Sequence, residues 1–168
     1  YTVEDYIPAL TRGGFIDSTR RQDVARQVAR YSGLSDGFVL DHNLAVPADA
    51  FWKELLQDEG HTVGRLDSRY QGVDVKNAGS SYDYPAELTA WNHAFTPAIN
   101  HYLRDELGVT TDLTYNVFGP VRPWEDEGND TGAQLRGAMA QNPYLHVMVQ
   151  SGYYDGATDY FSAKYVMW

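Results

Sequence analysis

The order of apolar and polar positions along the chain predicts a largely helical protein. Val24, Val28 and Tyr31 recur at helical spacing on one face. Asp17 or Ser18 can cap the N-terminus of the helix that carries them, because their side-chain oxygens accept hydrogen bonds from its first free N–H groups. Gly33 stands where a left-handed residue commonly ends such a helix. The pattern therefore predicts a helix between these signals.

Shorter helices are predicted by the same kinds of signal. Ser35 can cap one of them. Pro47 suits the first turn of another, for which Gly60 is the expected stop. Leu135 and Met139 are four residues apart and mark a further helix later in the chain.

The longest predicted helix runs from about residue 85 to residue 107, and Gly108 is expected to end it. Pro97 falls inside this run, where its ring can kink a helix. The apolar residues recur on one face, which predicts a buried stripe. The stripe consists of Leu88, Trp91, Phe95, Ile99, Tyr102 and Leu103.

Strand signals are few. The best is the segment 145–150, which is short, β-branched and nearly apolar, as in a strand covered on both faces. Weaker extended candidates are 62–66 and 113–118. A buried parallel strand needs parallel neighbours, which helical crossovers connect to it. We expect those neighbours to lie before Tyr1 and after Trp168.

Composition and charge narrow the function classes. The 168 residues contain 43% hydrophobic residues and no Cys, so a packed core is expected and a cysteine nucleophile, a thiolate zinc site and disulfides are excluded. The formal charge of −10 argues against nucleic acid and against an anionic membrane surface as partners. The histidines form no His-x-x-x-His or Glu-x-x-His pair, so neither a metal nor another cofactor is expected.

Both ends of the chain have the appearance of internal sequence. The chain begins with Tyr1 and not with Met, and it closes on an apolar run in which Phe161 and Tyr165 are four residues apart. This run predicts an amphipathic helix without a Gly or Asn stop. We therefore expect the chain to be a piece of a longer polypeptide.

Asp155 is the candidate catalytic residue of the chain. It follows the predicted strand 145–150, and open α/β sheets place their reactive groups beyond the carboxyl ends of their strands. In that position the carboxylate can accept an imidazole N–H and fix the tautomer of a catalytic His. The alternative is a turn aspartate that caps a helix beginning near Ala157.

A resemblance to a known family bears on this choice. The segment 142–161 reads NPYLHVMVQSGYYDGATDYF, and upstream stretches read EDYIPAL at 4–10, TVGRLDSRY at 62–70 and VRPW at 121–124. Together, and in this order, they resemble serine carboxypeptidases of the bacterial branch. The segment around Asp155 is the most specific of them. One departure is Asp159, where the family usually has Pro.

The resemblance implies an α/β-hydrolase that releases C-terminal amino acids from peptides through an acyl-enzyme, with Asp155 as the acid of the triad. The chain has no Gly-x-Ser-x-Gly elbow, and its five histidines all precede Asp155, whereas the triad order is Ser, acid, His. Flanking segments of the same protein are then expected to supply Ser and His. The 168-residue chain alone is expected to be inactive.

The expected fold class is therefore α/β, a partial α/β-hydrolase. Residues 1–112 are predicted to form the helical cap region, and residues 113–168 part of the hydrolase core, with the acid-bearing strand and the helix after it. The resemblance also implies a secreted, periplasmic or vacuolar protein. Two alternatives stay open. One is a related protein with altered or lost activity, an acyltransferase or lyase. The other is a non-catalytic, acidic, helical binding module.

Overall fold

The computed structural model describes residues 1–119, 123, 128 and 131–168, and helices predominate among them. The α-helices, in chain order, are α1 (Ile7–Thr11), α2 (Ser18–Ser32), α3 (Asp36–Asp41), α4 (Ala48–Glu54), α5 (Leu88–His101), α6 (Thr131–Gln141) and α7 (Tyr160–Met167). Shorter 3₁₀ and π-helical segments are Thr2–Tyr6, Gly13–Phe15, Gln57–Glu59 and Tyr102–Glu106. The described chain forms two compact units: residues 1–65 with 69–86, and residues 66–68 with 87–168.

Helix α2 confirms the helix predicted between Asp17 and Gly33. The Asp17 side chain accepts a hydrogen bond from the backbone N–H of Arg20, 2.8 Å away. Gly33 ends the helix at φ 82°, a left-handed conformation that glycine adopts without steric cost. Val24 and Ala25 lie on the buried face of the helix.

The core of the first unit forms where α1, α2 and α3 meet. Ser35 caps α3 as predicted, with its hydroxyl oxygen 3.1 Å from the backbone nitrogen of Phe38. The chain then turns through Asn43 and Leu44, both at positive φ. The buried apolar residues of this core are Ala9, Val24, Ala25, Ala29, Leu34, Val39 and Leu44.

Helix α4 leads into a small antiparallel sheet. The helix begins at Ala48, with Pro47 as its N-cap and not in its first turn as predicted. It ends at Glu54, before the expected stop at Gly60, which instead follows a 3₁₀ turn. Strand β1 (Thr62–Val63) pairs with β2 (Gln71–Gly72), with Thr62 opposite Gly72. The predicted extended segment 62–66 is thus a strand only at its first two residues.

Helix α5 starts at Leu88, later than expected, and a π-helical segment continues it to Glu106 before Gly108 at φ 65°. The prediction that its apolar stripe is buried is wrong: Phe95 is 52% exposed and Tyr102 46% exposed. Helical spacing identifies an apolar face, but burial needs an apolar layer against it. The described part of the second unit buries none of the α5 residues.

The prediction of a strand at 145–150 is also wrong, because this segment has no regular secondary structure among the described residues. Val147, Met148 and Val149 are 43%, 78% and 50% exposed. A strand exists through hydrogen bonds to a neighbour, and the described chain pairs only β1 with β2. The weaker candidate 113–118 is likewise irregular.

The helical part of the fold prediction is therefore confirmed, while the assignment to the α/β-hydrolase fold stays a prediction. So does the division at 112/113 into cap region and core. The predicted helix around Leu135 and Met139 is present as α6. The closing helix is present as α7, in which the rings of Phe161 and Tyr165 are 6.4 Å apart. No helix in the described ranges is long and apolar enough to cross a membrane.

Candidate functional site

The carboxylate of Asp155 organises the turn that follows residues 145–154. Its Oδ1 accepts hydrogen bonds from the backbone N–H groups of Ala157 and Thr158, at 2.8 and 3.0 Å. Its Oδ2 accepts a bond from the Thr158 hydroxyl at 2.6 Å. An aspartate that bonds to backbone N–H groups two and three residues ahead is a turn-forming device. The carboxyl group is thereby held in one orientation.

The helix after this turn is capped by Asp159 and not by Asp155. The Asp159 carboxylate accepts hydrogen bonds from the backbone nitrogen and the hydroxyl of Ser162, at 2.9 and 2.7 Å. The bond from the Ser162 hydroxyl is the main reason that the pKa of Asp159 lies below its usual range. The alternative prediction was that Asp155 shapes a turn and caps a helix beginning near Ala157. Asp155 does shape a turn, but the helix, α7, begins at Tyr160.

A backbone hydrogen bond connects two of the stretches that carry the family resemblance. The N–H of Ser68, in the stretch 62–70, donates to the carbonyl oxygen of Tyr154 at 2.9 Å. Tyr154 immediately precedes Asp155. The third stretch, at 121–124, lies largely outside the described residues.

Asp155 lines an open groove of about 530 Å³ between its own turn and helix α7. The groove is bordered on the helix side by Ala163, Val166 and Met167. The groove has an apolar wall and a carboxylate at its margin. An imidazole, which has a partly apolar ring and polar nitrogens, can therefore enter it.

Two of the histidines, His42 and His101, engage in local contacts, whereas His61 Nδ1 is buried without a hydrogen-bond partner among the described residues. His42 Nδ1 lies 2.9 Å from the carbonyl oxygen of Phe38, one turn earlier. His101 pairs with Asp105 on the exposed side of the second unit. Within the described ranges, no group of three or more His, Asp and Glu side chains is arranged to hold a metal ion.

Sequence reasoning missed Glu87, which is fully buried at the N-terminus of α5. Its Oε1 accepts a hydrogen bond from the backbone N–H of Leu66 at 2.8 Å. The only signal in the sequence is an acidic residue near a helix start, which commonly serves the helix dipole at the surface. Its hydrogen-bond partner, Leu66, lies 21 positions away and is therefore not readable from local pattern.

Comparison of the chain with models of protein families, with curated proteins and with solved structures found no match in any of the three.

Proposed function

We propose that this chain carries the catalytic acid of a serine carboxypeptidase-like hydrolase. In this proposal Asp155 orients a His, and the His activates a Ser, with both partners supplied by segments of the same protein outside residues 1–168. The substrates are the C-terminal ends of peptides. No cofactor takes part.

The observation that carries the proposal is the way in which the turn holds Asp155. The acid of a triad fixes the tautomer and the orientation of the imidazole and stabilises the imidazolium that forms. Such a carboxylate has to be held in place before the His arrives. The backbone N–H groups of Ala157 and Thr158 hold Oδ1. Oδ2 accepts a bond from the Thr158 hydroxyl, and rotation about the Cα–Cβ bond of Thr158 can redirect that hydroxyl when an imidazole approaches.

The resemblance and the hydrogen bonding point to the same part of the chain. The most specific of the resembling stretches, 142–161, contains the Asp155 turn, and the bond from Ser68 ties a second stretch to it. The groove beside Asp155 gives the approach that an imidazole needs. These features support the proposal independently of the predicted strand, which the structure lacks.

Exposed apolar residues before the turn support the proposal that further chain packs there. Val147, Met148 and Val149 are apolar, yet each is at least 43% exposed. Neighbouring strands of an α/β-hydrolase sheet would cover such residues and supply the missing backbone hydrogen bonds. The same strands would bring the Ser elbow close to Asp155.

The chemistry follows the serine hydrolase scheme. The His, oriented by Asp155, takes the proton of the Ser hydroxyl as the Ser oxygen bonds to the carbonyl carbon of the last peptide bond. The His then gives this proton to the nitrogen of the departing C-terminal amino acid. Water, deprotonated by the same His, attacks the acyl carbon; the bond from this carbon to the Ser oxygen breaks, the His returns the proton to the Ser oxygen, and the shortened peptide is released.

The test is Asp155→Asn in the complete polypeptide, assayed on blocked dipeptides. The asparagine amide keeps the size of the side chain but favours the wrong imidazole tautomer, so turnover is expected to fall by about 10⁴, as in serine proteases. Asp112→Asn, at an exposed aspartate of the same unit, is the matched control and should keep full turnover. Near wild-type turnover in Asp155→Asn would remove Asp155 from the mechanism.

Product analysis separates the related activities, because an acyltransferase passes the acyl group to an added amine or alcohol and a lyase releases no amino acid by hydrolysis. The binding-module alternative predicts a cooperatively folded chain without peptidase activity in any longer form. The hydrolase proposal predicts that residues 1–168 alone are inactive and that activity appears with the flanking segments.

A further inference from the structure

Glu87 is a buried acid whose side chain does not serve its own helix. It occupies the N-cap position of α5, but its side chain makes no capping hydrogen bond there. Its exposed fraction is 0%, and Oε2 has no hydrogen-bond partner among the residues that the structure describes. A buried carboxylate oxygen without a partner opposes folding. Stability alone therefore does not account for an acid at this position.

The other carboxylate oxygen of Glu87 holds the segment that leads to Asp155. Oε1 accepts a hydrogen bond from the N–H of Leu66 at 2.8 Å. Two residues later, the N–H of Ser68 donates to the carbonyl oxygen of Tyr154 at 2.9 Å. Asp155 is the next residue, and its backbone nitrogen lies 3.4 Å from the carbonyl oxygen of Gly152.

We propose that Glu87 is a positioning residue for Asp155, an inference that rests on the proposed function. Glu87 fixes residues 66–68 against the start of α5, and these residues fix the backbone immediately before the acid. Displacement of a catalytic group by about 1 Å can cost about 10²-fold in rate. A single hydrogen bond two steps away from the carboxylate can therefore affect turnover without contacting the substrate.

The test separates the position of the acceptor atom from its charge. Glu87→Gln keeps the side-chain length and an oxygen acceptor but removes the charge, whereas Glu87→Asp keeps the charge and withdraws the acceptor by one methylene group. In the complete polypeptide, Glu87→Asp is expected to lower kcat about tenfold or more, with KM changed by less than about twofold. Glu87→Gln is expected to keep kcat within about threefold of wild type. Glu106→Asp, exposed at the far end of the same helical segment, is the matched control.

Amide hydrogen exchange gives a readout that does not depend on catalysis. The N–H groups of Ala157 and Thr158 report on the Asp155 turn, and Glu87→Asp is expected to speed their exchange at least about tenfold, while Glu87→Gln leaves it unchanged. Ser68→Pro removes the backbone N–H that donates to the carbonyl oxygen of Tyr154, and it should reproduce the effects of Glu87→Asp. It serves as the second variant if Glu87→Asp does not fold.

The outcomes distinguish this inference from the function on which it rests. A loss in Asp155→Asn, with wild-type kcat and exchange in Glu87→Asp and Ser68→Pro, overturns the role of Glu87 alone. An equal loss in Glu87→Gln and Glu87→Asp overturns it as well, since charge would then be the required property. Unchanged turnover in Asp155→Asn overturns the proposed function, and the amide exchange then reports by itself whether Glu87 holds the turn.

Discussion

Lys53 Nζ lies 2.6 Å from Asp74 Oδ2, and both side chains are only 2% exposed. Lys53 also donates to the carbonyl oxygen of Lys76 at 2.8 Å, and Asp74 Oδ1 accepts from the backbone N–H of Asp83 at 3.0 Å. The ion pair therefore anchors helix α4 to the loop that follows β2. Within the first unit it is a buried charge pair, and each member makes at least one further hydrogen bond.

Removal of one member of this pair is expected to destabilise the protein strongly. Lys53→Met leaves the Asp74 carboxylate buried without its counter-ion, a change that costs about 3–5 kcal/mol in other proteins. The double variant Lys53→Met/Asp74→Asn removes both charges and retains an oxygen acceptor for the N–H of Asp83, so it should be more stable than Lys53→Met. Urea unfolding of the variants gives the comparison.

The exposed ion pair between Arg20 and Asp5 is the control. Its side chains are 41% and 42% exposed, and the atoms Arg20 Nη2 and Asp5 Oδ1 are 2.7 Å apart. Exposed pairs contribute about 0–1 kcal/mol, so Arg20→Met should change the free energy of unfolding far less than Lys53→Met. Equal losses in the two variants would contradict this account of burial.

The features that the sequence predicted correctly are those that depend on near neighbours. Asp17 and Gly33 bound α2 because capping by Asp17 and the left-handed stop at Gly33 involve residues only three or four positions away. The strand at 145–150 was predicted from its apolar composition, but a strand is defined by a hydrogen-bonded partner strand, which local composition does not reveal. Glu87 was missed for the same reason, since Leu66, which donates to its carboxylate, lies 21 positions away.

In the candidate site, too, the local contacts were predictable from sequence and the long-range contacts were not. Asp155 was proposed from its position after an apolar segment and from the family resemblance, and its catalytic role stays a prediction, whereas the turn that it forms with Ala157 and Thr158 is local. Its bond to the stretch 62–70 through Ser68 spans more than eighty positions and follows from the tertiary structure alone. Local pattern can thus nominate a carboxylate, whereas the contacts that position it need coordinates.

Substitution by Ala is expected to change the stability of the protein in opposite directions at Gly33 and at Gly37. Gly33 has φ 82°, and an added Cβ would lie 3.0 Å from Leu55 Cδ1. Gly33→Ala should therefore destabilise the protein by about 1–2 kcal/mol, the cost of a left-handed L-residue. Gly37 lies within α3 with open space at its Cβ position, so Gly37→Ala should stabilise by about 0.5–1 kcal/mol. Thermal unfolding of both variants decides, and a shift of the same sign would contradict the prediction.

The hydroxyl of Tyr6 supports the left-handed turn at Leu44. It donates to the carbonyl oxygen of Leu44 at 2.6 Å, and Leu44 has φ 71°, an unfavourable conformation for a bulky residue. Tyr6→Phe leaves that carbonyl without the bond and should cost about 1–3 kcal/mol in urea unfolding. Asp41→Asn, a substitution of similar size in the neighbouring helix α3, is the control and should cost much less.

The same hydroxyl predicts a loss of stability at alkaline pH. Burial raises the pKa of Tyr6 above its ordinary value of 10.0. The proton is therefore held more tightly in the folded state than in the unfolded chain, so this contribution is complete below pH 10 and is lost as the pH rises through the raised pKa. Tyr6→Phe should show a smaller decrease of unfolding free energy above about pH 10 than wild type does.

Asp159 makes the complementary prediction at acid pH. Hydrogen bonds from the Ser162 hydroxyl and backbone hold the pKa of Asp159 below its ordinary value of 3.8. The ionised cap therefore contributes its full stabilisation above pH 3.8, and this contribution is lost as the pH falls through the lowered pKa. The ionised form also interacts favourably with the N-terminus of α7, whereas the protonated form does so weakly.

Amide exchange of Ser162 should thus speed up on acidification in wild type and respond less in Asp159→Asn, which keeps a capping oxygen but cannot ionise. Asp112→Asn is the control, and an equal acid response in Asp159→Asn and wild type would show that another carboxylate governs the end of the chain.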